Sequence, residues 1–207
     1  MSNQGIATSV RSTVGRPTRG QGLLEAFLAR LRARRADLLI RNDLRSGRIL
    51  DVGCGSRPYF LAHVYFAEKF GVDQVVVGPV ESIQWFQLDL RSTPCLPFAE
   101  GFFGVVTMLA VAEHLSPDCF SLVLREVHRI LGRAGQLIVT TPTSWTGGLL
   151  QGMAALGLVS REEIREHKHA YTLPLLRRCL AEAGFSIARV NSGYFELGAN
   201  LWAVAEK

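Results

Sequence analysis

The hydrophobic positions of this chain fall into short continuous runs, and these runs predict the strands of a sheet. Most are rich in Val, Ile, Leu or Phe and are bounded by Gly, Asp, Ser or Thr. An apolar run without strict alternation is typical of a strand that is buried on both faces. The predicted strands span residues 48–51, 69–73, 83–90, 102–109, 136–141, 185–190 and 201–205.

Between several of these strands, apolar residues recur every three or four positions, which predicts helices. The first is an amphipathic helix over residues 22–46, with leucines on one side and arginines on the other. The others span residues 58–67, 118–131 and 173–183. Strands that alternate with helices indicate an α/β fold with a doubly wound, mostly parallel sheet. The last two strands have no helix between them and predict an antiparallel hairpin at one edge.

The positive charge is concentrated at the start of the chain. Of a net charge of +5 over 207 residues, positions 1–50 contribute +7, from ten arginines against three acidic residues, so the remainder carries −2. Residues 1–21 are predicted to be a disordered basic arm, and residues 47–207 fit one globular domain. A basic arm and helix suit nucleic-acid binding, although a solvated helix face explains the same pattern.

The cysteines and histidines give no pattern of metal ligands. Cysteines 54, 95, 119 and 179 lack the Cys-x-x-Cys spacing, and His167 and His169 have no third ligand nearby. Unpaired cysteines favour a reducing compartment, and no run approaches the ~18 apolar residues of a membrane span. We therefore expect a cytoplasmic protein with neither a metal ion nor a transmembrane segment.

The strand that ends at Asp51 leads directly into a glycine turn, Gly53-Cys54-Gly55. Glycines allow a tight turn and let the backbone approach a ligand closely. A dinucleotide would bring a pyrophosphate to this turn, where Asp51 would repel it, and Pro58 replaces the third glycine of the dinucleotide motif. The turn therefore disfavours a nicotinamide dehydrogenase and favours a ligand that carries positive charge.

Acidic residues stand near the ends of three successive predicted strands, at Asp51, Asp73 and Asp89. The carboxyl ends of parallel strands meet at one edge of a sheet, where open α/β sheets bind their ligands. Asp73 follows Gly55 by 18 residues, close to the offset of about 20 residues for a ribose-binding acid. We expect its carboxylate to accept hydrogen bonds from both ribose hydroxyls.

With these features the chain resembles the class I S-adenosylmethionine-dependent methyltransferases, and in particular the type 11-like methyltransferase domain. The first motif of that family is an apolar strand followed by (D/E)-x-G-x-G, which residues 51–55 match. The resemblance covers roughly residues 46–205. It implies a Rossmann-like sheet of seven strands, S-adenosyl-L-methionine as the cofactor, and in-line transfer of the methyl group to a nucleophile.

The resemblance also implies roles for individual residues. Asp89 would accept a hydrogen bond from the adenine amino group, and the backbone around Leu109 would contact the methionine part of the cofactor. Residues 109–115 are similar to the fourth motif of the family, which implies that Glu113 and His114 lie near the transferred methyl group. His114 is a candidate general base, although a structural role fits both residues equally well. The implied cofactor-binding residues are Asp51, Gly53, Cys54, Gly55, Asp73, Asp89, Leu90 and Leu109.

Residues 142–172 are interpreted as a lid-like insert, because relatives use this region to cover the substrate. The segment is apolar with several glycines, which predicts a small, partly apolar substrate, although packing on the sheet explains the same residues equally well. The candidate lid residues are Trp145, His167, His169 and Tyr171.

Two other functions remain open. Arg57 occupies a position where the family commonly has a third glycine, so a non-catalytic module that binds the cofactor or a partner is one alternative. An RNA methyltransferase guided by the basic N-terminal helix is the other, although the chain lacks the aromatic pattern of common RNA-binding modules.

Overall fold

One seven-stranded sheet organises the part of the chain that the computed structural model describes, residues 23–75, 82–143 and 171–207. In chain order its strands are β1 (Arg48–Val52), β2 (Glu68–Asp73), β3 (Ile83–Gln87), β4 (Phe103–Leu109), β5 (Leu131–Pro142), β6 (Val190–Phe195) and β7 (Asn200–Glu206). They lie in the order β3-β2-β1-β4-β5-β7-β6. Strands β1 to β5 are parallel, whereas β7 is antiparallel to both β5 and β6. The predicted fold class and C-terminal hairpin are therefore confirmed.

Helices cover both faces of the sheet. They are α1 (Leu23–Leu39), α2 (Tyr59–His63), α3 (Pro117–Ile130) and α4 (Leu173–Glu182). One core layer joins Ile49 and Val105 to buried residues of α1 and α2. The other joins Leu50 and Val106 to buried residues of α3 and α4. Successive residues of a strand point to opposite faces, so a sheet covered on both sides needs apolar residues at nearly every position.

Helix α3 illustrates how the local sequence fixes an element. Ser116 precedes it, and its Oγ accepts a hydrogen bond from the N–H of Cys119 at 3.3 Å. Pro117 begins the helix, where the missing N–H would have no partner within the helix. Its buried residues recur at helical spacing and form one face, at Phe120, Val123, Leu124, Val127 and Ile130.

The strand order reverses at β1, which pairs with β2 on one side and with β4 on the other. The chain leaves β1 toward one half of the sheet and leaves β4 toward the other half. Loops that diverge in this way leave a crevice at the carboxyl ends of the strands. The loops after β1 to β4 therefore surround the candidate site.

The predicted strand over residues 185–190 is wrong. Gly184 turns the chain after α4 with a φ of 109°, and Phe185 then packs edge-on against the ring of His128 in α3. A 3-10 turn follows at Ile187–Arg189, so the edge strand β6 begins only at Val190. Of residues 185–190 only Phe185 and Val190 are buried, Phe185 by packing on α3 and Val190 as the first residue of β6.

Other element boundaries also differ from the sequence pattern. Strand β5 begins at Leu131 and not at residue 136, because Leu131 already pairs with Phe103 of β4. An irregularity that includes Ala134, with a φ of 59°, separates this pair from the regular pairing that starts at Gln136. Helix α1 ends at Leu39, and a 3-10 turn at Asn42–Leu44 leads into β1. Strand β3 ends at Gln87, before Asp89.

An ion pair on α3 holds the loop before β4. The Glu126 carboxylate accepts hydrogen bonds from Arg129 (Nη2, 2.8 Å) and from the N–H of Leu96 (3.0 Å). Arg129 donates in turn to the carbonyls of Leu96 (3.0 Å) and Phe98 (2.8 Å). The hydrogen bond from Arg129 is the main reason that the pKa of Glu126 falls to about 2. The pair therefore fixes Phe98 within a cluster of phenylalanine rings formed with Phe70, Phe86, Phe102 and Phe103.

We predict that Glu126→Gln destabilises the protein in a pH-dependent way. The folded pKa lies below the unfolded value of about 4.3, so the stabilisation is present above that pH and is lost as the pH falls toward 2. We expect a loss of about 1–2 kcal/mol at pH 7 in denaturant unfolding. The difference from wild type should shrink at pH 3.

Glu182→Gln is the matched control, because Glu182 pairs with Arg178 on the exposed face of α4. This variant should change stability little at either pH. The prediction would be contradicted if both variants lost the same unfolding free energy. It would also be contradicted if the difference in unfolding free energy between wild type and Glu126→Gln were as large at pH 3 as at pH 7.

Candidate functional site

A cavity of about 250 Å³ opens at the carboxyl ends of β1 to β4, where the strand order reverses. Its walls come from the turn after β1, the end of β2, the loop after β3 and the turn after β4. Among the lining residues are Gly53, Gly55, Asp73, Asp89, Leu90 and His114. Residues that are distant in the sequence thus meet where open α/β sheets bind ligands.

The turn after β1 requires glycine for two separate reasons. Gly53 and Gly55 both have a φ of 73°, which disfavours residues with a Cβ. A Cβ on Gly53 would also lie 2.5 Å from Cγ2 of Val111 in the turn after β4. The N–H of Gly53 donates to the carbonyl of Val72 at 2.7 Å, which ties the turn to β2. The first motif therefore forms one wall of the cavity with its backbone.

Asp51 lies behind this turn and is not among the residues that line the cavity. Its carboxylate is buried, and Oδ1 accepts a hydrogen bond of 2.7 Å from the hydroxyl of Thr107 on β4. From the sequence we expected Asp51 to favour a positively charged ligand. The observed geometry allows it to do so only as a nearby buried charge, since the turn separates it from the cavity.

Asp73 lines the cavity at the end of β2 and organises the loops beside it. Its Oδ2 accepts a hydrogen bond of 2.7 Å from the N–H of Gly55, and its Oδ1 accepts one of 3.0 Å from the N–H of Val75. A carboxylate has about four acceptor positions, so two used by the backbone leave two for other donors. The predicted interaction with two hydroxyl groups is compatible with this arrangement.

Asp89 also lines the cavity and is held by Arg91, a residue that the sequence analysis missed. The guanidinium binds the carboxylate through two atoms, with Nε 2.9 Å from Oδ1 and Nη2 3.0 Å from Oδ2. These hydrogen bonds are the main reason that the pKa of Asp89 lies below its usual value. Asp89 is therefore a fixed, ionised acceptor. The sequence signal for this pair was an arginine two positions after an acid in the loop that follows a strand.

The turn after β4 separates the two candidate catalytic residues. Ala110 has a φ of 58° and redirects the chain at the end of β4, a conformation that costs an L-residue about 1 kcal/mol. His114 then lines the cavity. Glu113 is buried, and its carboxylate accepts a hydrogen bond of 3.1 Å from the hydroxyl of Thr141 on β5. His114 can thus reach a ligand, whereas Glu113 supports the turn from inside.

The remaining predicted cofactor residues occupy different positions. Leu90 is buried and lines the cavity. Cys54 is buried, and its Sγ lies 3.5 Å from the carbonyl of Val72, so it helps to fix the turn. Leu109 packs against the core layer beneath α1 and is not among the lining residues. Arg57 is exposed and does not line the cavity either, so it does not fill the hollow between the acids.

The predicted lid is described only at its ends. Trp145, His167 and His169 lie outside the described residues. Tyr171 is buried in the core and packs edge-on against Phe120, with ring centroids 5.2 Å apart. Burial is the main cause that raises the pKa of Tyr171, and its hydroxyl has no hydrogen-bond partner among the described residues. The structure thus gives Tyr171 a core position and not one on the cavity wall.

The described residues contain neither a cluster of metal ligands nor a membrane-spanning helix. No cluster of three or more His, Cys, Asp or Glu side chains among them could hold a metal ion. No helix in residues 23–75, 82–143 and 171–207 combines the length and the apolar character needed to cross a membrane.

Comparison with known proteins identifies related sequences and folds. The sequence model of a family described as "Methyltransferase domain" matches residues 21–190. No curated protein matches the chain. A solved S-adenosylmethionine-dependent methyltransferase from Mesorhizobium loti is 18% identical with a TM-score of 0.62, over 85% of this chain and 98% of that chain.

Two further solved structures extend the comparison. The 1,6-didemethyltoxoflavin-N1-methyltransferase of Burkholderia thailandensis, solved with 1,6-didemethyltoxoflavin and S-adenosylhomocysteine, is 18% identical with a TM-score of 0.62, over 88% of this chain and 80% of that chain. A chain of the Haloferax volcanii complex between the Trm112 methyltransferase activator and a methyltransferase is 14% identical with a TM-score of 0.66. The match covers 88% of this chain and 92% of that chain. At these identities the structural similarity establishes a shared fold.

We predict that Gly53→Ala disrupts the cavity wall. The substitution adds a methyl group to a residue with positive φ and forces it against Val111, so we expect a loss of about 2–4 kcal/mol in unfolding free energy. Gly104→Ala on β4 is the control, because the nearest atom to its added Cβ is 3.7 Å away.

The double variant Gly53→Ala/Val111→Ala separates the two causes. Removing the Val111 methyl groups relieves the contact but not the backbone strain, so the double variant should lose less than the sum of the single losses. If the losses of unfolding free energy in the two single variants simply added in the double variant, the predicted contact with Val111 would be contradicted. If Gly53→Ala left the unfolding free energy unchanged, both the contact and the backbone strain would be contradicted.

Proposed function

The chain belongs to the methyltransferase-domain family, and we propose that it binds S-adenosylmethionine in the cavity and transfers the methyl group to a small, partly apolar acceptor. The observation that carries this proposal is the meeting of Gly55, Asp73 and Asp89 in one cavity at the switch point of the sheet. The Burkholderia thailandensis neighbour, solved with S-adenosylhomocysteine, supports the choice of cofactor.

The residues of the cavity fit the parts of this cofactor. The remaining acceptor positions of Asp73 suit two ribose hydroxyls, and the carboxylate of Asp89 suits the adenine amino group. Leu90 supplies an apolar surface beside the ring. Gly53 presents its backbone to the cavity in a conformation, with a φ of 73°, that residues with a Cβ disfavour. Asp51, buried behind the turn, favours the positive charges of the ligand through its field.

The acceptor would approach from the side of His114. The bound cofactor supplies a methyl group on a sulfonium, which is already an activated leaving group. The protein then contributes mainly orientation and exclusion of water. His114 lines the cavity and is the candidate base for an acceptor that must lose a proton. Glu113 is assigned a positioning role, because its buried carboxylate anchors the turn that carries His114.

A non-catalytic module is less well supported. Arg57 was the residue that favoured this alternative, and it is exposed and does not line the cavity. An RNA methyltransferase has one observation in its favour, since Arg30 and Arg34 are exposed on α1. Three other arginines of this region already form ion pairs with carboxylates, which lowers the positive potential, namely Arg41, Arg45 and Arg48.

We predict that Asp73→Asn weakens cofactor binding by at least about tenfold, because it removes the charge from hydrogen bonds to the ribose. Isothermal calorimetry with S-adenosylmethionine and S-adenosylhomocysteine measures the effect. Asp118→Asn makes the same charge change at an exposed position of α3 and should bind like wild type. Undetectable binding in wild type, or equal affinity in both variants, would contradict the proposal.

Binding of a single-stranded RNA at several salt concentrations distinguishes the RNA alternative. We expect weak binding that is the same in Arg30→Gln/Arg34→Gln and in the control Arg125→Gln/Arg133→Gln, whose arginines are exposed elsewhere. If RNA bound tightly and only the first pair reduced the salt slope, by about one to two, the substrate would be RNA and not a small molecule.

A further inference from the structure

We propose that Arg91 is a positioning residue that makes the cavity selective for a purine with a 6-amino group. It does so by fixing the carboxylate of Asp89 so that one acceptor position faces the ligand. The inference rests on the proposed function, since it concerns how the same cavity recognises the adenine of the cofactor.

Arg91 constrains Asp89 more strongly than a single ion pair would. Oδ1 of Asp89 accepts two hydrogen bonds, from the backbone N–H of Arg91 at 3.0 Å and from its Nε at 2.9 Å. Oδ2 accepts one, from Nη2 at 3.0 Å. The planar fork of the guanidinium sets the plane of the carboxylate, which a flexible ammonium group would not do.

The carboxylate of Asp89 has one hydrogen-bond acceptor position left for a ligand. Each carboxylate oxygen accepts about two hydrogen bonds, so Oδ1 is saturated by Arg91 and Oδ2 keeps one position among the described residues. Asp89 lines the cavity, and 38% of its side chain is exposed, so this position is accessible. The ionised Asp89 can therefore accept one hydrogen bond from a ligand and cannot donate one.

Arg91 also connects the two loops that border the cavity. Its Nη2 donates a hydrogen bond to the side-chain oxygen of Gln74. Gln74 is the residue after Asp73, with which β2 ends. Gln87, at the end of β3, donates to the carbonyl of Gln74 at 3.2 Å. The acid assigned to the ribose and the acid assigned to the purine are thus held at a fixed separation.

This arrangement distinguishes two purines that differ at one position. A 6-amino group donates a hydrogen bond to the remaining acceptor position of Oδ2. A 6-oxo group presents an oxygen to the same carboxylate, which loses a charge-assisted hydrogen bond and adds repulsion. A site that hydrogen-bonds one ligand group discriminates strongly against an analogue that lacks it.

Arg91 contributes little to the stability of the fold, which makes the role testable. The side chains of Arg91 and Asp89 are 59% and 38% exposed, and exposed ion pairs stabilise proteins weakly. Replacing Arg91 should therefore leave the melting temperature nearly unchanged. A change in ligand preference then reports on recognition and not on folding.

The experiment compares S-adenosylhomocysteine with S-inosylhomocysteine, its 6-oxo analogue, by calorimetry. We expect wild type to bind the 6-amino ligand about 10- to 100-fold more tightly. In Arg91→Gln this ratio should fall at least fivefold. Arg91→Lys keeps the charge but lacks the fork, so it should resemble Arg91→Gln. Asp89→Asn, which adds a donor, should lower the ratio as well.

Arg178→Gln is the matched control, because Arg178 forms an exposed pair with Glu182 at 2.8 Å, far along the chain on α4. It should keep the wild-type ratio. A wild-type ratio near one, or a ratio that both Arg91 variants retain, would overturn this inference and leave the proposed function standing. Failure of wild type to bind either ligand would overturn the proposed function and this inference together.

Discussion

The hydrogen bond from the N–H of Gly55 to the carboxylate of Asp73 connects the parts of the candidate site. It is 2.7 Å long and joins the turn after β1 to the end of β2, across 18 residues of sequence. Gly55 can donate in this direction because it adopts a left-handed conformation. Sheet pairing alone places the two strands side by side, but this contact fixes the turn against the acid. The cavity wall therefore depends on a backbone donor as much as on side chains.

The three acids near this edge of the sheet are held by different hydrogen-bond partners. Asp51 is buried and bonded to Thr107, Asp73 accepts backbone N–H groups, and Asp89 is paired with Arg91. Each carboxylate thus has its own hydrogen-bond donors. Asp73 and Asp89 bring theirs to the cavity wall, whereas Asp51 keeps its own behind the turn.

Much of the fold was predictable, because apolar runs bounded by Gly and Asp report strands directly. The site was predictable where one residue carries the signal, as with Gly53, Gly55, Asp73 and Asp89. It was not predictable where contacts between distant parts of the chain determine the position of a side chain. The burial of Asp51 behind its own turn depends on Thr107 of another strand, and the core position of Tyr171 depends on Phe120. Phe185 belongs to an apolar run but packs on α3, so local pattern alone misassigned it.

The position of β7 has a consequence for the order of assembly. This strand follows β6 in the chain yet lies between β5 and β6 in the sheet, and β6 pairs only with β7 among the described strands. The edge strand β6 is therefore synthesised before the partner that attaches it to the sheet. Completion of that half of the sheet must wait for long-range pairing of β5 with β7, a slow type of contact to form. During synthesis, the exposed side of β5 is consequently open to pairing with other nascent chains.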